Sequence, residues 1–192
     1  MNLYIRLLRV LLGGWIQAST HYADSTATRF RVWLHDLDAF GHMNNGRYLQ
    51  IMDVARTHWM VRSGVFDAIR RNRWAPLLGG GFIRYRFSLK ILQPYHVHTR
   101  LLCWDDRWFF LEHLFADHEN RHIAVGITRA ALRQDGSWVP SADVVAQVHD
   151  GAVSPRMPRY VREWMALEDK MYRRGSRYHR ETSKQAPLRE VS

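Results

Sequence analysis

The segment HDLDAFGHMNNGRY, residues 35–48, is the part of this sequence from which the architecture can be inferred. It places two aspartates, a Gly-His pair and two asparagines between a short apolar run and a longer periodic one. Such polar residues are typical of the start of a helix, where backbone N–H groups without intrahelical partners need acceptors. The segment therefore predicts a capped helix start that also gathers reactive side chains.

The flanking sequence predicts a strand before this segment and a long helix after it. Residues 27–34, ATRFRVWL, alternate apolar Phe30, Val32 and Leu34 with residues of the opposite face, as a half-buried strand does. Apolar residues then recur at helical spacing, at Tyr48, Ile51, Met52, Ala55 and Trp59. The helix should run for about four turns, with Asn44 or Asn45 as its N-cap.

Four strand-like segments follow the glycine run at residues 79–81. They cover about residues 82–92, 95–104, 108–117 and 121–133, and turn residues separate them. Connections of this length join antiparallel neighbours, and the long helix must cover one face of the resulting sheet. The sequence therefore predicts an α+β fold.

Length and composition indicate one folded domain with two extensions. The chain has 192 residues, of which 46% are hydrophobic, and it contains eight each of Trp, Tyr and Phe. We place an amphipathic extension at residues 1–26, the main domain at 27–150 and a basic extension at 151–192. The single cysteine, Cys103, lies in an apolar run and is expected to be a buried packing residue.

The first 18 residues should form an amphipathic helix. Arg6 and Arg9 interrupt an apolar run that is too short to span a bilayer. Leu7, Leu11 and Trp15 share one face, with Leu8 and Val10 beside it. That face suits either peripheral membrane contact or packing on the domain or a partner subunit. The expected location is cytoplasmic, with peripheral membrane contact as an option.

The net charge of +10 is concentrated towards the C-terminus. From Pro155 onward there are ten Lys or Arg against five Asp or Glu. No nucleic-acid-binding motif accompanies this excess, so nucleic acid is not an expected partner, whereas an acidic membrane or a phosphate-bearing substrate is. A helix should be followed by a mobile tail after Met171.

The segment DLDAFGHMNNGRYLQIMD resembles the helix-start motif of the hydroxybenzoyl-CoA thioesterase-like branch of the hotdog superfamily. In that motif an Asp, a Gly three residues on and a Tyr ten residues on recur, here Asp38, Gly41 and Tyr48. The downstream run RYRFSLKILQPYHVHTRLLCWDDRWFFLEHLFAD is similar to proteins described as thioesterase superfamily member 6-like. The likeness covers about residues 27–133. It implies a hotdog fold, in which a curved antiparallel sheet of about five strands wraps a long central helix.

This resemblance implies thioester hydrolysis with Asp38 as nucleophile or general base. A thioester carbonyl also needs donors for its developing oxyanion, and a helix N-terminus offers unpaired N–H groups with partial positive charge. The amides of Asn45 and Gly46 are the candidates.

Other residues of the motif are expected to support the site. Asp36 should order the loop, Gly41 should allow the backbone to turn, and His42 should orient the carboxylate or act as scaffold. Asn44 is expected mainly to cap the helix, and Tyr48 is the tyrosine of the helix-start motif. On a downstream strand, Arg84 and Arg86 could bind the phosphates of coenzyme A or be ordinary solvated charges.

Two other types of site are not expected. Asp53 on the helix should form a surface ion pair with Arg56 rather than take part in catalysis. His96 and His98 share a strand face but have no third ligand at a recognisable interval, so neither a metal nor an organic cofactor is expected.

The sequence thus predicts a hydrolase for acyl-CoA or another acyl thioester. Hotdog protomers usually pair, which implies a homodimer or a dimer of dimers. The alternative is a non-catalytic scaffold of the same fold that binds acyl thioesters or associates with membranes.

Overall fold

The structure is a computed structural model that describes residues 3–17 and 19–185, with side chains as far as residue 173. The chain divides into two compact units, one ending at Pro155 and the other beginning at Arg156. The helices are α1 (Leu3–Ile16), α2 (Asn45–Arg62), α3 (Val65–Asn72), α4 (Ser141–Ala146) and α5 (Arg159–Gln185). The strands are β1 (Thr26–Arg31), β2 (Ala75–Tyr85), β3 (Pro94–Trp104), β4 (Phe109–Asp117), β5 (His122–Gln134) and β6 (Ser137–Val139).

The first unit is built on one antiparallel sheet with strand order β1-β3-β4-β5-β2. The short strand β6 pairs with the end of β5. Helix α2 packs against β1, β3 and β4. A long helix covered by a five-stranded antiparallel sheet is the hotdog arrangement, so the predicted fold class is confirmed.

Helix α2 contributes to two apolar clusters of the core. Tyr48, Ile51 and Met52 pack in the first cluster, together with residues from β1, β3 and β4. Trp59 belongs to the second, which includes α3, α4 and the far ends of the strands. All five apolar positions read from the sequence are buried, so the predicted stripe is confirmed. The helix is held to the sheet along its whole length.

Strand β2 differs from its prediction. The sequence placed a strand at residues 82–92 after a glycine break, whereas β2 runs from Ala75 to Tyr85 straight through Gly79–Gly81. Its register against β5 shifts between Leu78 and Gly80, as at a β-bulge. A Cβ at Gly79 would lie 2.3 Å from the ring of Trp108. The glycine run therefore makes room for an indole and does not end the strand.

Helix α1 packs on α2 within the first unit. Arg6, Val10 and Gly14 recur every fourth residue and form its buried face. Six large apolar side chains are exposed instead: Tyr4, Ile5, Leu8, Leu12, Trp15 and Ile16. They lie within an arc of about 120° at 100° per residue, and we call them the α1 stripe. Of the predicted face, Leu7 and Leu11 are half-buried and Trp15 is exposed.

In the second unit, α5 begins at Arg159 and continues to Gln185. The segment after Met171, which was predicted to be a mobile tail, is thus helical as far as Gln185. Residues 186–192, which belong to the same prediction, lie outside the described residues.

Candidate active site

The loop before α2 is a small hairpin closed by Asp38. Leu37 and Met43 form an antiparallel bridge. The Asp38 N–H donates to the carbonyl of His42 at 2.8 Å. Asp38 Oδ1 in turn accepts the backbone N–H of Phe40 at 2.9 Å and that of His42 at 3.2 Å. Within this hairpin Gly41 has a φ of +77°, which only glycine adopts without strain.

One oxygen of Asp38 holds the loop, and the other remains available. The residue is half-buried. Over residues 3–17 and 19–185, no hydrogen bond or ion pair is recorded for Oδ2. A carboxylate that is fixed through one oxygen and open at the other has the geometry of a nucleophile or base.

The helix start has one occupied amide and one unoccupied amide. Asn44 is the N-cap, and its side-chain oxygen accepts the Gly46 N–H at 2.8 Å. The Asn45 N–H has no acceptor in the described part of the chain. Of the two predicted oxyanion donors, only Asn45 is therefore free to donate, and Gly46 serves the cap.

Asp36 is fully buried beneath this loop and pairs with two arginines. The Arg6 guanidinium of α1 donates to Oδ2, which also accepts the N–H of Trp33 at 2.9 Å. Arg47 Nε lies 3.0 Å from Oδ1, an ion pair without the alignment of a hydrogen bond. The backbone carbonyl of Asp36 accepts the N–H of Asn44 at 2.8 Å. Asp36 thus orders the loop, as expected, through partners that include a distant helix.

Two tyrosines form a wall beside the helix start. The Tyr85 hydroxyl donates to the carbonyl of Asn45 at 3.0 Å, and its ring packs edge-on against Tyr48 at 5.1 Å. Burial raises the pKa of Tyr48 to about 12, so this phenol stays neutral. The sequence indicated Tyr48 through the motif but missed Tyr85, because its partner Asn45 lies 40 residues away in sequence.

Arg84 lies on the opposite face of β2 from Tyr85, because neighbouring strand residues point to opposite faces. Arg86 follows the strand end, and its guanidinium lies 5.2 Å from the Phe87 ring centroid. Both arginines are exposed. Within one protomer, the structure does not bring Arg84 together with the helix start.

An apolar cavity of about 290 Å³ lies between α2, α3 and the sheet, and we call it the α2 cavity. Its walls include Met60, Ile69, Leu101, Leu111 and Leu132. The polar exceptions are Tyr22, Thr57 and the Asp53–Arg56 ion pair, which was predicted. Asp53 follows Asn45 by eight residues, or about 12 Å along the helix. Local sequence patterns could not reveal this cavity, because its walls come from seven separate elements.

Two other features of the described chain bear on its chemistry. Burial and the nearby Asp105 raise the pKa of the Cys103 thiol to about 11, which leaves it unreactive. Within the residues that the structure describes, no group of three His, Cys, Asp or Glu side chains could hold a metal ion. No described helix is long and apolar enough to cross a bilayer.

Comparisons with known proteins show the family to which the chain belongs. The family model described as "Thioesterase-like superfamily" matches residues 32–169. Protein THEM6 of Drosophila melanogaster is 30% identical over 86% of this chain and 85% of its own length. Protein THEM6 of Xenopus laevis is 35% identical over 70% of this chain and 64% of its own length, which is less than two thirds. The chain belongs to the thioesterase-like superfamily.

A solved structure shows the same fold at lower sequence identity. It is a 1,4-dihydroxy-2-naphthoyl-CoA thioesterase from Synechocystis, with a TM-score of 0.56 and 15% identity. The match covers 65% of this chain and 95% of that one.

Proposed function

We propose that this protein hydrolyses an acyl thioester of coenzyme A, with Asp38 as nucleophile or general base. The observation that carries the proposal is the pairing of an open Asp38 carboxylate oxygen with an unoccupied Asn45 amide. The two flank the same helix start, only seven residues apart. Membership of the thioesterase-like superfamily and the name of the Synechocystis relative support the reaction and the CoA thioester.

The reaction would place the thioester carbonyl at the N-terminus of α2. Asp38 Oδ2 attacks the carbonyl carbon, or removes a proton from a water molecule that attacks it. The Asn45 N–H donates to the oxyanion as it forms, and the positive end of the helix dipole favours the same charge. The C–S bond then breaks, and the sulfur leaves as thiolate and takes up a proton. If Asp38 attacked directly, the acyl group is now bonded to Oδ2 as a mixed anhydride, and water cleaves that bond and restores the carboxylate. If water attacked, its oxygen is already bonded to the carbonyl carbon. Either route consumes one water molecule and gives a carboxylic acid and a free thiol.

The α2 cavity suits the acyl group of the substrate. It is lined mostly by apolar side chains that would gain from covering hydrocarbon. Its nearest polar pair lies about 12 Å along α2 from the proposed carbonyl site. A substrate with an aliphatic or aromatic acyl group is therefore favoured over a small polar one.

A homodimer through β2 would complete this site. In the described sheet β2 is an edge strand of 11 residues, with no strand on its outer side. It exposes Leu77, Leu78 and Phe82. A long apolar edge is a template for pairing with a second copy, and β2 begins beside the α2 cavity and ends at Tyr85. In such a dimer Arg84 and Arg86 remain candidates for CoA phosphates.

The direct test is hydrolysis of a panel of acyl-CoA substrates by the wild type and by Asp38→Asn. The asparagine oxygen can still accept the Phe40 and His42 amides, so the loop should stay folded. Turnover should fall by about 10² or more. As a matched control, Asp67→Asn removes a half-exposed carboxylate from the first turn of α3 and should leave turnover unchanged. Equal turnover in Asp38→Asn would refute the assigned role.

The α1 stripe favours a second candidate, a membrane-associated scaffold that binds acyl thioesters without cleaving them. An exposed apolar helix face is suited to the membrane interface. A wild-type protein that binds a non-hydrolysable thioether analogue but cleaves no acyl-CoA would favour this candidate. The location in the cell stays a prediction for either case.

A further inference from the structure

A second cavity, of about 250 Å³, lies between α1 and β1, and we call it the α1–β1 cavity. Its cationic walls come from Arg6 and Arg9 of α1 and Arg29 of β1, and His58 of α2 also lines it. No carboxylate is among the residues that line it. The cavity far exceeds the space of about 10–15 Å³ that one water molecule needs.

Arg6 is the unusual member of this group. It is 2% exposed, and its Nη2 donates to Asp36 and to the carbonyl of Arg31. Its Nε and Nη1 are also buried, yet neither has an acceptor among the described residues. A buried charged donor without an acceptor is costly, and such groups are normally satisfied. Arg6 is therefore a buried cation in the wall of the cavity, with two donor atoms that lack an acceptor among the described residues.

The charges around the α1–β1 cavity do not balance. The carboxylate that Arg6 contacts, Asp36, is already shared between Arg6 and Arg47. Arg9 and Arg29 form no recorded ion pair over residues 3–17 and 19–185 and are exposed at the cavity. Three guanidinium groups against a shared carboxylate leave a strongly positive pocket, which an anion would neutralise.

We propose that the α1–β1 cavity binds a phosphate group. Three guanidinium groups approach from two elements, and a tetrahedral phosphate offers enough oxygens to accept from each, whereas a carboxylate has only two. Thr28 and Gln17 add polar groups to the wall. The phosphate could be free in solution or part of a lipid headgroup. If the α1 stripe on the same helix contacts a membrane, lipid headgroups would lie close to the cavity. This site is separate from Asp38 and does not depend on thioester hydrolysis.

The test uses Arg9→Gln and Arg29→Gln, because Arg6 supports the fold through Asp36 and its loss could unfold the protein. Binding of inorganic phosphate to the full chain is measured by calorimetry at constant ionic strength, with chloride as the reference anion. Binding to phosphatidylcholine vesicles with and without phosphatidic acid is measured by co-sedimentation. Arg70→Gln removes an exposed charge from α3, which does not line the cavity, and is the matched control.

Each cavity variant should weaken phosphate binding by about tenfold or more, in line with the loss of one charged hydrogen-bond donor, and Arg70→Gln should not. Binding of inorganic phosphate that both cavity variants weaken supports the site with a soluble source. Binding only to phosphatidic acid vesicles, lost in both cavity variants, supports it with a lipid source. The proposal is overturned if neither probe binds, or if the cavity variants weaken binding no more than Arg70→Gln does.

Discussion

Asn45 and Gly46 are consecutive residues at one helix start, but their amides have different roles. The Gly46 N–H is occupied by the cap oxygen of Asn44, whereas the Asn45 N–H has no acceptor in the described chain. A cap contributes about 1 kcal/mol to stability, while an oxyanion donor acts only on the reaction path. Substitutions at the two positions should therefore separate stability from catalysis.

We expect Asn45→Pro to lower turnover without lowering stability. Asn45 is the first helical residue, a position that favours proline, and Asn44 has a ψ of 136° that a following proline accepts. Loss of one oxyanion donor should reduce the hydrolysis rate by about 10² to 10³. The melting temperature and the affinity for a thioether analogue should change little.

Asn45→Ala keeps the N–H and is the control for the lost side chain. If the proline variant hydrolyses substrate as fast as the alanine variant, this amide does not contact the oxyanion.

The residues around the helix start show which contacts a local sequence reveals. The Asn44 cap, the Gly41 turn and the Asp53–Arg56 ion pair involve neighbours within four residues, and the sequence predicted all three. One partner of Asp36, Arg6, lies 30 residues away on α1. Arg6 looked like an interruption of an apolar run because nothing near it in sequence shows that its charge is buried.

At the scale of elements, the sequence predicted α2 well and β2 poorly. The buried residues of α2 recur at helical spacing because one side of the helix meets the core. Strand β2 is exposed or half-exposed along its whole length, so no buried face imposes an alternation that could be read. Its glycines fit around Trp108, a contact that only the tertiary fold creates.

We expect Leu78→Lys to convert a dimer of this protein to monomers. A lysine on an edge strand opposes pairing with a second copy. The side chain of Leu78 is 49% exposed, so the monomer should tolerate the change. The measurement is molar mass by light scattering after size exclusion.

Ile91→Lys, at a residue of similar exposure (47%) in the loop after β2, is the control and should remain dimeric. A wild-type protein that is already monomeric would contradict pairing through this edge.

At the scale of the whole molecule, one buried histidine connects stability to pH. His113 is fully buried between Thr99 and Thr128, whose hydroxyl oxygens lie 3.1 Å from its ring nitrogens. Burial lowers the pKa of His113 to about 3. The unfolded chain therefore binds a proton between about pH 6.5 and pH 3 that the folded chain does not bind. The contribution of the neutral His113 to the free energy of unfolding should be fully present above pH 6.5 and should decrease as the pH falls below that value.

We expect His113→Gln to flatten this dependence, because glutamine does not titrate. In the wild type, titration of His113 should change the free energy of unfolding by up to about 1.4 kcal/mol for each pH unit. Denaturant unfolding at pH 7, 6 and 5 measures the slope. The exposed His118 provides the comparison, since His118→Gln should retain the wild-type slope. An equal slope in all three proteins would show that His113 does not titrate as proposed.

The strand order β1-β3-β4-β5-β2 also has a consequence for how the chain folds. The three inner strands are consecutive hairpins, whereas Thr26 of β1 pairs with Thr99, and Ala75 of β2 pairs with Arg133. Loop closure makes such distant pairings slow, so the hairpins should form first and the edges last. A nascent chain will have released α1, β1 and α2 before the strands that cover them exist. Their apolar surfaces stay uncovered until the remaining strands, from β2 to β5, are synthesised, a stretch of about 60 residues. During that time chaperones or rapid synthesis must prevent association with other chains.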